Sequence, residues 1–453
     1  MIILVAILAF CFVFISGHKN DQEIYRNKTA ENDAKLEQFS RDPRDNNNYA
    51  NLQLVMKPKA ESFISSGYED RMPKGFHFQM VPFELKVISQ KEEISGPSGY
   101  EVLSKREYVD IPHLFAIDLT FIVQFLFSFF AIILGFNAAT GEKEQGTLKL
   151  TLSNPVKRSD FVIVKYLSVL ITIGIPMFLG LVIGMIVLGL SPYMALSLST
   201  FSKLIQFSAF SVLYLSFFVL LGLFCSVFSQ DSRKSLVMGL LFWAFLVVVL
   251  PKSGGLLLSL KRFDVPTPEQ IEIQAKNASQ DVMKKYRDEF LSAGNDEERA
   301  RAVMLKGFEE AFKANQDIYD HYLQRKIAVV REIRQIYYFS PASLFEYGSS
   351  SIVGTGILRF QEYWLQARQF GVRFVDYVKG LSGEKAGTSA FYLDVASISP
   401  NPIEFNSIPR FEEREISGGD RITDALPYVA LLGFLNLFLF IIVLYRFQTY
   451  DVR

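Results

Sequence analysis

Cysteine is almost absent from this chain: Cys11 and Cys225 are its two copies, and both lie inside apolar runs. A disulfide-stapled secreted fold is therefore excluded. Histidine is nearly as scarce, with His18, His77, His113 and His321 far apart in sequence. No H-x-x-x-H or C-x-x-C spacing occurs, so no sequence-local zinc site is expected. There is no excess of either charge, since 47 basic residues face 47 acidic ones, and no global field favours nucleic acid. No G-x-x-x-x-G-K-[ST] run is present, so the chain has no Walker loop for ATP. G-x-S-x-G and H-E-x-x-H are missing too, which leaves no recognisable catalytic constellation. The triplets at Asn27 and Asn277 match glycosylation acceptors, a pattern common by chance.

What the chain has in quantity is apolar and aromatic surface. Half of it is hydrophobic, with 42 Phe and 20 Tyr among 453 residues. Crossing about 30 Å of hydrocarbon takes about 20 apolar residues as a helix. Candidate spans lie at 2–17, 114–137, 164–190, 204–228, 233–251 and 425–446. Short-loop charges orient them. Lys143, Lys149, Lys157, Arg158 and Lys165 lie between the second and third spans, Arg233 and Lys234 between the fourth and fifth, and Arg453 ends the tail. Those stretches are expected in the cytoplasm, and 191–203, with Lys203 alone, outside. Six spans with both termini cytoplasmic follow, together with two long extracytoplasmic insertions, 18–112 and 252–424. The first segment has neither a charged lead-in nor an A-x-A site, so it reads as a retained helix with its cytoplasmic lead-in missing rather than as a signal peptide.

The expected layout is therefore a span at 1–17, a first outer domain at 18–112, spans two to five within 113–251 with a cytoplasmic loop at 138–163, a second outer domain at 252–424, and a last span and tail at 425–453. That makes a mostly α membrane protein with a long helical insertion and a smaller α+β one. The helical insertion has clear punctuation. Thr267-Pro268-x-Gln270 is a capping box with proline at the first helical position. A second helix begins near Asn295, and its apolar stripe, which includes Phe312 and Ile327, persists to Ser340-Pro341. A return helix is expected over 357–378. In the first insertion, 20–40 reads as a polar helix and 41–49 as a linker. Alternation at 77–81 and 83–87 predicts short strands.

Polar residues inside hydrocarbon are functional suspects. Asp118, Gln124 and Gln206 are the pathway candidates. Asp118 either lines a substrate path or is an interfacial carboxylate reached by water, and its shallow depth favours the second. Gly180-x-x-x-Gly184 permits close helix approach, within one chain or between two, and Pro176 predicts a kink in the same span.

The cytoplasmic loop is the most informative stretch. From Gly135 it reads GFNAATGEKEQGTLKLTLSNPVKRSDFVIVKYL, far longer than a turn between two spans requires. Leu148, Leu150 and Leu152 give apolar contacts, whereas Glu142, Lys143, Glu144 and Lys149 stay polar. An amphipathic helix with a break at Pro155 suits docking onto a cytosolic partner. The bland alternative is a solvated loop that only sets topology.

The pattern Glu142-x-Glu144-x-Gly146-Thr147-Leu148, then Pro155-Val156-x-Arg158 and Lys165-Tyr166-Leu167, resembles the signature of type-2 ABC exporter permeases. The large insertions resemble those of a subgroup that includes nitrous-oxide-reductase maturation and gliding-motility permeases. Weaker echoes lie at 63–70 and 340–345. The chain departs from the pattern at its start, where such permeases carry an amphipathic connecting helix. The resemblance implies that Glu142, Glu144, Gly146, Thr147, Leu148, Pro155 and Arg158 form the ATPase-coupling site. It also implies a separate cytosolic ABC ATPase holding the ATP and magnesium, with no cofactor on this chain. Expected partners are a second permease copy or a homologue, an extracytoplasmic protein and membrane lipid. The implied location is the bacterial cytoplasmic (inner) membrane, multi-pass. Export is the expected function. The alternative is a mechanotransmission or scaffold subunit that passes ATPase-driven motion to a partner outside.

Overall fold

A computed structural model describes residues 2–43, 51–67, 75–80, 83–87, 118–154, 157–194, 197–251, 266–294, 296–381 and 401–450. The chain is mostly helical. Among the described residues, five helices are long and apolar enough to cross a membrane: α2 (Leu119–Glu144), α4 (Arg158–Gly189), α5 (Leu198–Phe228), α6 (Ser232–Val249) and α11 (Gly418–Gln448). The short α3 (Thr147–Ser153) lies between α2 and α4. The expected first span is the beginning of α1 (Ile2–Arg41), which runs without interruption through the polar stretch 20–40. Nothing in that sequence stops a helix: Gly17 is a single weak former and no proline intervenes.

The core of the spans is built around α5. In its most apolar stretch 83% of residues are buried, against 17% in α6 and 28% in α11, so α5 is enclosed by protein while its neighbours present large faces outward. Exposed Phe434, Leu437, Phe438 and Ile441 on α11, and Leu241 and Phe245 on α6, are what lipid-facing surface requires. α2 and α5 approach closely at a glycine pair the sequence reading passed over. A Cβ built on Gly135 would lie 3.1 Å from Gly222 Cα. Gly180 and Gly184 are buried on α4, and Pro176 lies inside that helix.

Outside the spans, α7 (Pro268–Ser292) and α8 (Glu297–Ile336) pack as a hairpin. The Thr267 hydroxyl accepts from Gln270 N at 3.2 Å and the Gln270 side chain accepts from Thr267 N at 2.8 Å, so the predicted capping box forms. α8 has 40 residues and is about 60 Å long. A three-stranded antiparallel sheet has the order β1 (Asn51–Val55), β2 (Gly75–Met80), β3 (Phe83–Val87). The last two strands fall where alternation predicted them; β1 was not anticipated. A second core joins Leu36 and Phe39 of α1, Leu52 and Leu54 of β1, and an aromatic face of α10 (Ile357–Leu381) that includes Tyr363, Phe370 and Phe374.

One segment departs from the expected layout. Residues 341–353, placed by sequence inside the outer domain, form α9 (Pro341–Val353), which is almost entirely buried in the same core as the spans. Phe345 stacks on Tyr214 of α5 at 4.4 Å, and α9 packs against both α5 and α11. Its composition (apolar residues plus serines and Gly348) is too short and too mixed for a hydropathy window, so only packing reveals it as a buried element.

Candidate functional site

The stretches expected in the cytoplasm converge at one end of the bundle. α2 continues past its apolar part to Glu144, and Gly146 then turns the chain into α3 with φ of 72°. That left-handed conformation suits glycine because it has no Cβ. Open space surrounds the position, with no atom within 4 Å of a Cβ built there, so conformation alone fixes the choice. The amphipathic helix expected to break at Pro155 is therefore interrupted earlier, at Gly146, where α2 gives way to α3.

Three contacts anchor this turn to the span ends. Lys143 Nζ donates to the carbonyls of Val227 and Ser229 at 2.8 Å and of Ser226 at 3.2 Å. A cation on the last carbonyls of α5 offsets both their unpaired acceptors and the negative end of the helix dipole. Lys143 also lies 4.6 Å over the Tyr450 ring. Glu144 accepts from Ser232 N at 2.7 Å and Ser232 Oγ at 2.8 Å, capping the start of α6. Arg158 donates to the carbonyls of Gln448 at 2.7 Å and Tyr450 at 2.8 Å, closing the end of α11. A buried hydroxyl completes the set: Ser226 Oγ accepts from the backbone N–H of Ala139 at 2.8 Å and of Thr140 at 2.9 Å.

The coupling residues implied by resemblance therefore divide by role. Glu142 pairs with Lys165 of α4 at 2.6 Å. Glu144 and Arg158 bind span termini, and Gly146 sets the turn. Thr147 starts α3 and its hydroxyl donates to Glu142 O at 3.4 Å. Leu148 is buried against the span core, whereas Leu150 is 73% exposed. Pro155 lies outside the described residues; α3 ends before it, at Ser153. Lys143 was noted in sequence as a polar residue of the loop and one of its orienting charges, not as a coupling residue, yet it makes the most contacts here. A lone basic residue carries no sign that it will meet a helix C-terminus.

The three pathway candidates are not brought together. Asp118 Oδ1 accepts from Phe121 N at 2.7 Å and Oδ2 from Ser66 N at 2.8 Å, so it caps α2 and holds the first insertion. Gln124 is buried, and its carbonyl accepts from Tyr214 Oη at 3.0 Å. Gln206 donates to Ser202 at 3.4 Å on its own helix. Asn436, a polar residue that sequence reasoning missed, joins spans deep in the bundle. Its Oδ1 accepts from Ser216 Oγ at 2.7 Å, and Ser216 Oγ also lies 2.7 Å from Tyr166 Oη. α4, α5 and α11 are thus linked inside the membrane region. A single asparagine in a long apolar run was the available signal.

At the opposite end, a second knot binds the first insertion to the spans. Lys203 Nζ of α5 donates to Glu61 Oε1 at 2.6 Å. Lys59 Nζ donates to Gly354 O at 3.1 Å, and Thr355 Oγ1 to Ser65 O at 2.8 Å. Arg359 clasps Glu413 through Nε at 2.8 Å and a terminal nitrogen at 3.0 Å. Burial, then the nearby Arg359 charge, pushes the Lys59 ammonium down to about 8. Burial pushes the Glu61 carboxyl up, but the Lys203 hydrogen bond and charge outweigh it and hold Glu61 below its ordinary value.

No group of three or more His, Cys, Asp or Glu residues suited to a metal occurs among the described residues. Comparison with curated proteins finds no match. The family described as ABC-2 family transporter protein matches residues 1–452. Five membrane-length helices agree with a multi-pass permease, the component of such transporters that works with an ABC ATPase subunit and is not itself the ATPase. The chain belongs to the ABC-2 family of transporters, as a membrane permease subunit.

Proposed function

We propose that this permease couples ATP hydrolysis on a separate cytosolic ATPase to work across the bacterial inner membrane, with α1 supplying a sixth span and both termini in the cytoplasm. The observation that carries the reading is α3. It is a short helix at one end of the bundle with Leu148 buried inward and Leu150 exposed outward. Lys143, Glu144 and Arg158 fasten its surroundings to the ends of α5, α6 and α11. A push on α3 therefore acts on three spans, not on a loose loop. Two permease copies, or this chain and a homologue, would meet two ATPase subunits, which hold the ATP and magnesium.

In the test, Leu150→Glu adds a charge to an exposed position. The protein should stay folded in the membrane and lose its ATPase subunit on co-purification. Full retention of that subunit, with hydrolysis unchanged, would remove the support for docking at α3.

A second reading is force transmission to an extracytoplasmic partner without solute transport. The knot of Lys59, Glu61, Lys203 and Asp118 favours it, because span motion has no slack before it reaches the outer domain. Reconstituted complex that moves no solute, while its ATP turnover depends on an outer partner, would select this reading. Solute movement without such a partner would select export.

A further inference from the structure

The imidazole of His18 is buried just past the apolar run of α1. Phe14, one turn earlier, stacks on it with ring centroids 5.6 Å apart and planes 17° from parallel. Phe14 in turn meets the edge of Phe63, from the stretch between β1 and β2, at 6.0 Å. His18 Nε2 lies 2.9 Å from the Gln22 amide nitrogen, one turn further along the helix. The same nitrogen donates to the carbonyl of Tyr193, in the α4–α5 connection, at 2.9 Å. Lys19 adds its ammonium 5.3 Å over the Tyr193 ring.

The two Gln22 contacts fix a protonation state. A backbone carbonyl can only accept, so the Tyr193 oxygen dictates that the nitrogen end of the Gln22 amide faces it. That same end meets His18 Nε2, which must then be the acceptor, and the imidazole is neutral with its proton on Nδ1. A proton added at Nε2 would aim one donor at another. Relief requires the amide to turn its oxygen to the imidazolium, and that oxygen would then oppose the Tyr193 carbonyl. In this geometry a protonated His18 and the Gln22–Tyr193 bond exclude each other. Burial holds His18 below its ordinary 6.5, and the charges of Asp21 and Glu61 only partly offset it. The other charged groups on this side are settled differently. Glu61 is paired with Lys203 of α5 and is held below its ordinary value by that partner, despite its burial. Lys59, pushed down to about 8 by burial, takes up its proton before His18 does. Lys19 is shared between Glu23, at 3.8 Å, and the Tyr193 ring.

We propose that His18, Gln22 and the Tyr193 carbonyl form an acid-sensitive latch, which ties α1 to the α4–α5 connection and opens when His18 gains a proton. α1 runs on from the latch to Leu36 and Phe39 in the second core, so the latch is one of the points that tie this core to the spans. Opening it frees the outer part of α1 from α4 and α5, and span motion then reaches the outer domain less directly. The latch deepens the force-transmission reading as its regulation, and external pH is the signal because that reading places His18 and Tyr193 at the outer face.

The test uses the full chain in phosphatidylcholine nanodiscs, where both faces meet the buffer and topology plays no part. Cys11→Ala and Cys225→Ala remove the native thiols. Asn20→Cys and Leu190→Cys, at exposed positions on α1 and at the end of α4, carry nitroxide labels whose dipolar coupling reports the separation of the two helices. Lowering the pH from about 7 to about 5 should weaken that coupling, with a midpoint below 6.5. His18→Gln, which keeps an acceptor but cannot titrate, should stay closed throughout. Gln22→Ala should be open at both ends of the range. Tyr193→Phe keeps the carbonyl and the ring beneath Lys19, so it should respond as the parent does. An unchanged coupling in the parent, an acid response that persists in His18→Gln, or a closed Gln22→Ala protein overturns the proposal. Force transmission is read separately, from solute movement and partner-dependent ATP turnover, so its failure and the failure of the latch are distinct results.

Discussion

Lys203 and Glu61 meet at 2.6 Å with 2% and 9% of their side chains exposed, one at the start of α5 and the other in the stretch between β1 and β2. Thr200 Oγ1 adds a 3.3 Å bond to the same carboxylate oxygen. Breaking a buried pair on one side leaves an uncompensated charge, whereas replacing both partners removes the problem. Lys203→Met should therefore destabilise the protein by about 3–5 kcal/mol. Lys203→Met with Glu61→Leu should recover most of that loss. Thermal unfolding in detergent, followed by tryptophan fluorescence, measures both. A double variant as unstable as the single one would show that the pair is not the cause.

The same pair sets an acid limit. Glu61 is held below its ordinary value of 4.5 in the folded protein. Its contribution is therefore present above about pH 4.5 and is lost as pH falls through the lower folded value. The thermal midpoint should drop in that window, and the drop should shrink in the double variant. An identical acid profile in both proteins would assign the loss to other groups.

Lys59 has the opposite sign. Its folded value is about 8 against an ordinary 10.5, so between those pH values the unfolded chain binds the proton and the folded chain does not. Stability from this group rises as pH climbs from 8 to 10.5, and below 8 the folded state carries a penalty of roughly 3 kcal/mol. Lys59→Met should lift that penalty at pH 7, less about 1 kcal/mol for the lost bond to Gly354. A lower midpoint at pH 7 would contradict it.

Gly146 separates conformation from crowding. Its φ is 72° and no atom lies within 4 Å of a Cβ built there, so Gly146→Val should cost about 1–2 kcal/mol through backbone strain alone. Gly146→Asn should cost less, since asparagine tolerates that region. The two variants should rank in the same order for ATP hydrolysis by the assembled complex. Equal activity in both would mean that the turn into α3 does not govern coupling.

Asn436 should matter inside the bundle. Asn436→Leu removes its bond with Ser216 and should lower stability by about 1 kcal/mol. Ser216→Ala should cost a similar amount, and the double variant should cost less than the two added together. Strict additivity, measured by unfolding in one detergent, would show that the two side chains do not act as a unit.

Sequence by itself determined the class of this protein. Apolar runs about as long as a bilayer is thick force helices, because backbone polar groups have no other partner in hydrocarbon. Capping signals likewise fixed the start of α7, and alternation located β2 and β3, since each is a local preference of neighbouring residues. The apolar positions of α3 were legible for the same reason, whereas the turn at Gly146 was not, because the break was placed at Pro155. What tertiary structure alone decided is which charged and polar residues meet. Lys143 on the carbonyls of α5, Lys203 on Glu61, and Asn436 on Ser216 each join residues tens to hundreds of positions apart. The burial of α9 belongs with them: its serines and Gly348 are ordinary loop composition until α5 and α11 close around them. Such contacts depend on the relative placement of whole helices, and no sequence window contains that.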